Sequence, residues 1–340
     1  MPHLLEVQGL HVDIDTDQGT LKPIVGIDLV LDRGETLAIV GESGCGKSLT
    51  AHAILGLLPR RARLRAERLS YAGRSLLGLK QRAMNNIRGD RICMIFQDPM
   101  TALDPCYTVG AQMVEVLRQH ATISAAAARA RALELLDLVQ VAPARERFGQ
   151  YPHELSGGLR QRVMIAMSLL CEPDLLIADE PTTALDVTVQ AQILQLLMDI
   201  QHETGIGMIL ITHDLGVVAR VAHRTAVMYC GQIVEHGPTR DLLDHPLHPY
   251  TEGLLRSIPI PGRVPRRAKL GYIPGIVPAP LGVHGQCTFA PRCPYATEPC
   301  WTQAIALRAA GPARDVRCIL PLDGSALSPE IWNRALEEET

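Results

Sequence analysis

Aromatic residues are scarce in this chain. Phe, Trp and Tyr together make up 4% of the 340 residues, and none of them precedes Tyr71. The core must therefore rest on aliphatic side chains and methionine. No apolar run approaches the roughly 18–20 residues of a membrane-spanning helix, and residues 1–20 lack the charged start and apolar stretch of a signal peptide. We therefore expect any membrane attachment to come through partner proteins.

The chain also lacks a strong excess of either charge. Its formal net charge is −3 at pH 7, which gives no electrostatic basis for a nucleic acid as the main partner. With 340 residues, the chain can form two or three domains with a well-buried core. Information about function must therefore come from local motifs.

The clearest motif is a phosphate-binding loop. Residues 41–48 read Gly-Glu-Ser-Gly-Cys-Gly-Lys-Ser, the pattern G-x-x-x-x-G-K-S. The apolar run Thr36–Val40 predicts a strand before the loop, and residues 47–58 predict a helix after it. Lys47 would reach the β- and γ-phosphates of a nucleotide, and Ser48 would bind Mg²⁺. A glycine-rich turn without a phosphate role is the alternative, but both flanks fit a nucleotide site.

The whole loop is expected to surround the polyphosphate with backbone N–H groups. The residues expected to contact the nucleotide here are Gly41, Glu42, Ser43, Gly44, Cys45, Gly46, Lys47, Ser48 and Leu49. Cys45 lies near a helix N-terminus, which can lower a thiol pKa. We prefer the simpler interpretation that Cys45 is a small spacer without a catalytic role.

Two acidic residues follow a second apolar strand. Residues 175–180 read Leu-Leu-Ile-Ala-Asp-Glu, which places both carboxylates at the C-terminal edge of a sheet, where α/β proteins bind ligands. Asp179 is suited to hold Mg²⁺ and its waters, and Glu180 to polarise an attacking water as a general base. The pair is a weak signal alone and a strong one beside a phosphate-binding loop.

A second anion-binding motif lies at residues 155–161, Leu-Ser-Gly-Gly-Leu-Arg-Gln. Ser156, Gly157 and Gly158 at the start of a helix offer a hydroxyl and free N–H groups to a phosphate. One nucleotide does not need two such sites from the same chain. This stretch resembles the signature motif of the ATP-binding-cassette ATPases. The resemblance implies that two chains pair head to tail, each closing its motif on ATP held by the other.

The same resemblance gives roles to three further residues. Gln97 matches the Q-loop residue that touches Mg²⁺ and senses the transporter. Asp186 matches the D-loop residue at the dimer seam, and His213 matches the switch histidine that contacts the γ-phosphate. A lone histidine after a strand is usually a polar residue with its hydrogen bonds satisfied and no further role. Here His213 follows the signature motif in the order that the family shows, which favours the functional role. Gln97, His213, Lys47 and Glu180 form the expected catalytic set.

One family element is missing. Members of this family usually stack the adenine on an aromatic residue near the first strand, and the corresponding position here is Ile14. Loss of stacking would cost roughly 1 kcal/mol. We therefore expect weaker discrimination between bases, with ATP use retained.

The end of the chain resembles the C-terminal extension of ATPase subunits from oligopeptide and dipeptide importers. The resemblance rests on His-Pro-Tyr-Thr at residues 248–251, on Gln-Cys-Thr-Phe-Ala-Pro-Arg-Cys-Pro-Tyr-Ala at 286–296, on Cys300 and on Val-Arg-Cys at 316–318. It favours the dipeptide-type subunit, which works beside a second, related ATPase. With the cassette motifs included, the resemblance covers essentially the whole chain.

Four of the nine cysteines lie in this C-terminal part, with the spacing C-x5-C-x6-C-x17-C: Cys287, Cys293, Cys300 and Cys318. An intracellular ATP-using protein keeps its thiols reduced, so the group indicates a metal site before disulfides. The close pairs of structural zinc are absent, and the spacing is not that of a ferredoxin either. Because similar importer subunits carry a [4Fe–4S] cluster, we expect one here, with zinc or free thiols as the alternatives.

The order of elements predicts an α/β fold. Strands that alternate with helices indicate a largely parallel sheet, with antiparallel edge strands at residues 4–7 and 24–31 separated by a polar stretch at 13–19. A helical subdomain is inserted at about 98–170. We expect an ATPase domain over residues 1–246 and a C-terminal module over 247–340. The proline-rich residues 258–281 of that module suit few regular elements, so a metal cluster would hold it together.

The combined resemblance implies the ATP-hydrolysing subunit of a peptide importer, peripheral on the cytoplasmic face of the inner membrane. The implied partners are a second ATPase subunit, two permease subunits and, indirectly, an extracytoplasmic peptide-binding protein; no nucleic acid is expected. Dipeptides, longer peptides, glutathione and nickel complexes remain open as cargo.

A soluble cassette protein of translation or repair would carry two cassettes or a coiled coil. An iron–sulfur regulator that only binds ATP would not need Gln97, Glu180 and His213.

Overall fold

The structure is a computed structural model that describes residues 2–17, 19–183, 185–258, 271–278, 285–321 and 327. The strands are β1 (Leu5–Thr16), β2 (Gly19–Leu31), β3 (Thr36–Val40), β4 (Ala62–Arg65), β5 (Arg68–Tyr71), β6 (Arg74–Ser75), β7 (Ile92–Ile95), β8 (Leu175–Asp179), β9 (Gly207–Thr212), β10 (Arg224–Tyr229), β11 (Gln232–Pro238), β12 (Arg308–Gly311) and β13 (Arg314–Val316). The helices are α1 (Lys47–Leu55), α2 (Gln81–Asn85), α3 (Pro99–Ala102), α4 (Val109–His120), α5 (Ala125–Leu138), α6 (Ala144–Phe148), α7 (Gly157–Leu169), α8 (Val187–Thr204), α9 (Leu215–Val221), α10 (Thr239–Asp244), α11 (Pro249–Arg256) and α12 (Glu298–Thr302). Most of the proline-rich stretch and residues 328–340 of the C-terminal module lie outside the described residues.

A parallel sheet forms the centre of the molecule and confirms the predicted α/β fold. Its order is β12-β13-β11-β10-β3-β9-β8-β7, and the five strands from β10 to β7 are parallel. Strands β3, β8 and β9 are buried along their whole length, as expected for parallel strands covered on both faces. Because these strands run in one direction, the segments that follow them meet at one edge of the sheet.

A second, antiparallel sheet has the order β2-β1-β5-β6, with β4 also paired to β1. The polar stretch from Asp13 was predicted to separate two strands, but β1 continues through it to Thr16. Cross-strand ion pairs explain the difference: Arg65 lies 2.6 Å from Asp13, and Arg63 lies 2.8 Å from Asp15. Ion pairs between acidic residues of β1 and basic residues of β4 thus support the polar end of the strand.

The inserted helical block runs from α3 to α7, close to the predicted limits. Ser124 and Ser156 cap α5 and α7 by accepting hydrogen bonds from the backbone N–H groups of Ala127 and Leu159, as N-cap residues do. Apolar residues of α4, α5 and α7 join one buried cluster with β7 and β8. In the described part of the chain, no helix is both long and apolar enough to cross a bilayer.

The C-terminal module packs directly on the parallel sheet. Strand β13 pairs with β11 and with β12, so the module extends the same sheet. The rings of Tyr229, Tyr250 and Phe289 contact one another with centroids 4.7–5.3 Å apart, and all three are essentially fully buried. These three residues, called the aromatic cluster below, join the module to the central sheet in one buried apolar cluster.

Candidate nucleotide site

The phosphate-binding loop connects β3 to α1, as predicted. Gly41 and Gly46 have φ values of 153° and 110°, a region that side chains disfavour. A Cβ atom at Gly41 would lie 2.2 Å from the carbonyl oxygen of Met228, and one at Gly46 would lie 2.5 Å from the carbonyl oxygen of Pro23. Both glycines are therefore required for the loop to pass close to its neighbours.

The ammonium group of Lys47 is held inside this loop. Its Nζ donates hydrogen bonds to the carbonyl oxygens of Gly41 at 2.7 Å and Glu42 at 3.0 Å. Cys45 is also buried, and burial raises its thiol pKa despite the charge of Lys47. A protonated, buried thiol favours the interpretation of Cys45 as a spacer.

Ser48 and Asp179 are brought together from the start of α1 and the end of β8. The Ser48 hydroxyl donates a hydrogen bond to Asp179 Oδ1 at 3.0 Å. Burial raises the pKa of Asp179, and the hydrogen bond from Ser48 only partly offsets this. A hydroxyl and a carboxylate are the hard oxygen ligands that Mg²⁺ prefers, so these two residues fit the expected metal site.

Glu180 is the centre of a polar cluster beyond the ends of β7, β8 and β9. Its carboxylate accepts hydrogen bonds from Gln97 Nε2 at 3.2 Å and Thr183 Oγ1 at 2.7 Å, and His213 Nδ1 lies 3.3 Å away. Burial opposes ionisation of this carboxyl group, but the bonds from Thr183 and His213 outweigh burial and hold the pKa of Glu180 below its usual value. The backbone of Glu180 has a φ of 45°, which is uncommon outside glycine. An ionised carboxylate is thus fixed where a general base was predicted.

Ser156 and Asp186 are the N-cap residues of two neighbouring helices, α7 and α8, and both are exposed. Asp186 caps α8 by accepting a hydrogen bond from the N–H of Val189 at 2.9 Å. A Cβ atom at Gly158 would lie 3.1 Å from Val189, so α7 and α8 begin side by side. Ser156, Gly157 and Asp186 are exposed or partly exposed, and Val187 next to them is 82% exposed. Ala184, between the polar cluster and Asp186, is outside the described residues.

Known proteins resemble this chain in sequence and in fold. Residues 24–183 match the family model of the ABC transporter. The dipeptide transport ATP-binding protein DppD of Bacillus subtilis is 52% identical over 296 residues, which cover 86% of this chain and 88% of that protein. The chain belongs to the ABC transporter family. Residues 234–300 also match the C-terminal region of oligopeptide/dipeptide transporters.

Further relatives of this ABC transporter chain extend the agreement. DppD of Escherichia coli is 44% identical over 320 residues, covering 94% of this chain and 97% of that protein. Among solved structures, the dimeric bacterial ABC transporter cassette MJ0796 is 27% identical with a TM-score of 0.62, covering 69% of this chain and 99% of that one. The cassette fold predicted from the motifs is therefore confirmed.

The predicted metal cluster of the C-terminal module is not supported. All four cysteines are described, yet among the described residues no group of three or more His, Cys, Asp or Glu side chains is placed to hold a metal ion. Burial raises the pKa of the Cys287, Cys293 and Cys318 thiols, to about 11 for Cys318. Cys287 and Cys293 pack against the buried apolar cluster that contains the rings of the aromatic cluster.

Sequence reasoning missed a direct connection between the C-terminal module and the phosphate-binding loop. The N–H of Glu42 donates a hydrogen bond to Tyr250 Oη at 2.8 Å, and the Glu42 carboxylate accepts two from Arg292 at 2.7 and 3.0 Å. Tyr250 and Arg292 both lie in segments that carry the importer resemblance. They stand 208 and 250 residues from Glu42, and no local pattern links positions so far apart.

Proposed function

We propose that this chain is the ATP-hydrolysing subunit of an importer for dipeptides and other short peptides. The DppD relatives and the match to the C-terminal region of oligopeptide/dipeptide transporters support the cargo class. One observation carries the catalytic assignment: Gln97, Thr183 and His213 converge on an ionised Glu180 next to the Ser48–Asp179 pair. A chain that only bound ATP would not need this arrangement.

Each residue of the site then has a defined task. Lys47 and the loop N–H groups bind the β- and γ-phosphates, and Glu180 accepts the proton of the attacking water. His213, whose side chain is 63% exposed, contacts the γ-phosphate. Ser48, Asp179 and Gln97 would hold Mg²⁺, which neutralises phosphate charge when bound.

The nucleotide site is completed by a second ATPase subunit. Ser156, Gly157, Gly158 and Asp186 belong to the accessible surface at the starts of α7 and α8, where a second subunit could bring its own nucleotide. The helix N-termini there favour a phosphate. The similar MJ0796 cassette is a dimer, which supports a paired arrangement of this chain as well. ATP closes the pair, and hydrolysis through Glu180 reopens it.

One of the two permease subunits docks on this chain, in an apolar groove between the parallel sheet and the helical block. The groove has a volume of about 330 Å³, and its lining includes Leu57, Phe96, Leu103, Val116 and Met167. Phe96 immediately precedes Gln97, so a permease segment in the groove would act directly on the Glu180 cluster. This docking would place the chain at the cytoplasmic face of the inner membrane, with an extracytoplasmic binding protein delivering the peptide.

Transport by the assembled importer tests this function. Vesicles that contain the permeases, both ATPase subunits and the binding protein should accumulate a labelled dipeptide when ATP is supplied. Glu180→Gln should lower ATP turnover by at least about 100-fold, abolish uptake and leave the two ATPase subunits associated around unhydrolysed ATP. Glu172→Gln, which changes an exposed carboxylate outside the site, is the matched control. Normal turnover in Glu180→Gln would contradict the base assignment, and uptake of nickel complexes or glutathione in place of dipeptides would contradict the cargo.

A further inference from the structure

The C-terminal module holds a residue of the phosphate-binding loop. Glu42 is the second residue of the loop, and its carboxylate forms a two-pronged ion pair with Arg292. The guanidinium side chain is only 4% exposed. Two parallel bonds between charged groups define both the distance and the orientation of the partners.

Arg292 is itself held firmly by the module. Its Nε donates to the carbonyl oxygen of Pro274 at 2.7 Å, and its Nη2 donates to that of Ile273 at 3.2 Å. Its Nη1 also lies 3.4 Å from Tyr229 Oη. Burial lowers the pKa of Arg292, but the bonds to Glu42 and Tyr229 outweigh burial and keep the pKa above its ordinary value. The charge that faces Glu42 is therefore permanent and fixed in place.

The module holds the backbone of Glu42 as well as its side chain. The Glu42 N–H donates to Tyr250 Oη, and Tyr250 is part of the buried aromatic cluster. The Glu42 carbonyl oxygen accepts a bond from Lys47 Nζ at 3.0 Å. Glu42 is thus bonded both to the C-terminal module and to Lys47, the residue proposed to bind the phosphates.

The charge of Glu42 also matters for the ligand. A carboxylate within a loop that receives a triphosphate repels that anion unless it is neutralised, and the Glu42 side chain is 29% exposed, so water screens this repulsion only in part. Arg292 supplies the neutralising charge from outside the loop. The ion pair with Arg292 therefore removes a repulsion that the phosphates would otherwise meet in the loop.

We propose that Arg292 is a positioning residue for ATP binding: it neutralises Glu42 and orients the phosphate-binding loop through it. This inference rests on the proposed function, since it takes the loop to be the ATP site. It gives the C-terminal module a part in nucleotide affinity, beyond its contribution to folding.

Nucleotide affinity of the full-length chain tests the proposal. Titration with AMP-PNP and Mg²⁺ should show binding about tenfold or more weaker for Arg292→Met than for the wild type. Arg317→Met is the matched control, because Arg317 is another partly buried arginine of the module that bonds to the carbonyl oxygens of Ile233 and Ile305. Melting temperatures of both variants report any general loosening of the module. Equal weakening in Arg292→Met and Arg317→Met would overturn the proposal.

A second pair of variants separates positioning from structural support. Arg292→Lys keeps the charge without the two-pronged geometry and should give intermediate affinity. In the Arg292→Met background, Glu42→Gln should restore much of the lost affinity, because it removes the unpaired carboxylate. In the assembled importer, the KM for ATP should rise in Arg292→Met with kcat little changed.

The results that would overturn the role of Arg292 differ from the result that would overturn the proposed function. A double variant that binds no better than Arg292→Met overturns the proposal, as does wild-type affinity in Arg292→Met. Either result leaves the ATP site itself intact. A wild-type chain that binds no AMP-PNP overturns the proposed function and this inference together.

Discussion

At the scale of single residues, Ile14 lies where the family resemblance predicts an aromatic residue stacked on the base of the nucleotide. Ile14 is partly buried on β1, opposite Leu21 on β2 and Ala62 on β4. A purine stacked at this position would meet an aliphatic side chain in place of an aromatic ring. Aliphatic contact buries the base without the additional 0.5–1.5 kcal/mol, roughly, of aromatic stacking, so adenine and guanine differ little in what they gain there.

This environment predicts weak discrimination between ATP and GTP. We expect kcat/KM values for the two nucleotides that differ by less than about tenfold, because roughly 1 kcal/mol corresponds to about a fivefold change in affinity. Ile14→Tyr should improve the KM for ATP by about that factor. Competition of GTP against ATP hydrolysis, in the wild type and in this variant, measures both effects. A strong ATP preference in the wild type would show that other residues select the base.

Residues of the site differ in how far the sequence reveals them. Glu180 could be predicted because an apolar strand followed by an acid is a local pattern, and His213 and Gln97 because they follow strands in a known order. Thr183 carries no signal of its own, although its hydroxyl orients Glu180. Arg292 could not be predicted at all, since its bond to Glu42 exists only when the chain has folded.

At the scale of single elements, α11 begins with a histidine that is almost completely buried. His248 caps the helix by accepting a hydrogen bond from the N–H of Tyr250 at 3.0 Å through Nδ1. Burial and the nearby charge of Arg317 lower the pKa of His248 to about 3. The imidazole is therefore neutral in the folded chain at any pH where the protein functions.

The start of α11 should consequently weaken in acid. Between pH 6.5 and 3 the unfolded chain binds a proton at His248 and the folded chain does not, so the free energy of unfolding falls as the pH falls, by about 1.4 kcal/mol per pH unit. His248→Asn keeps a capping acceptor and removes this titration. Urea unfolding from pH 8 to pH 4 measures this effect. The free energy of unfolding should fall less at low pH for His248→Asn than for the wild type. The variant of an exposed neighbour, His245→Asn, should show the same fall as the wild type. Parallel curves for His248→Asn and wild type would contradict the assignment.

Elements with local signals are the easiest to predict, although α1 ends at Leu55 and not at the predicted residue 58, because Gly56 ends the helix in a left-handed conformation. Helices α5 and α7 have serine N-caps, and β8 and β9 are continuous apolar runs. The end of β1 and the whole of β4 were missed, because their stability depends on arginine–aspartate pairs between strands. Such pairs become visible only when the register is known.

At the scale of the whole molecule, the apolar groove beside Phe96 should determine whether the chain reaches a membrane. Leu57→Asp places a charge in this groove, where burial without a partner costs several kcal/mol. We expect recovery of the permeases with the chain, after detergent extraction of membranes, to fall at least about tenfold. Leu138→Asp, at the exposed end of α5, should leave the recovery unchanged. Equal recovery for both variants would place the permeases elsewhere.

The cohesion of the C-terminal module was the main point that could not be predicted correctly from the sequence. Cysteine spacing favoured a cluster, but spacing along the chain does not say which side chains fill the interior. Tyr229 comes from the central sheet, Tyr250 from α11 and Phe289 from a later turn. Only the folded chain shows that these three distant rings meet.

Because β11 pairs with β13, which is synthesised much later, one edge of β11 stays unpaired until the end of the chain has been made. Strand β11 leaves the ribosome with its outer edge unpaired, and Arg314–Val316, which covers it, follows some 80 residues later. During that interval the nascent chain displays an open row of backbone donors and acceptors that invites pairing with other polypeptides. A premature stop before residue 314 would make that vulnerability permanent, so shortened products should be recovered in the aggregated fraction.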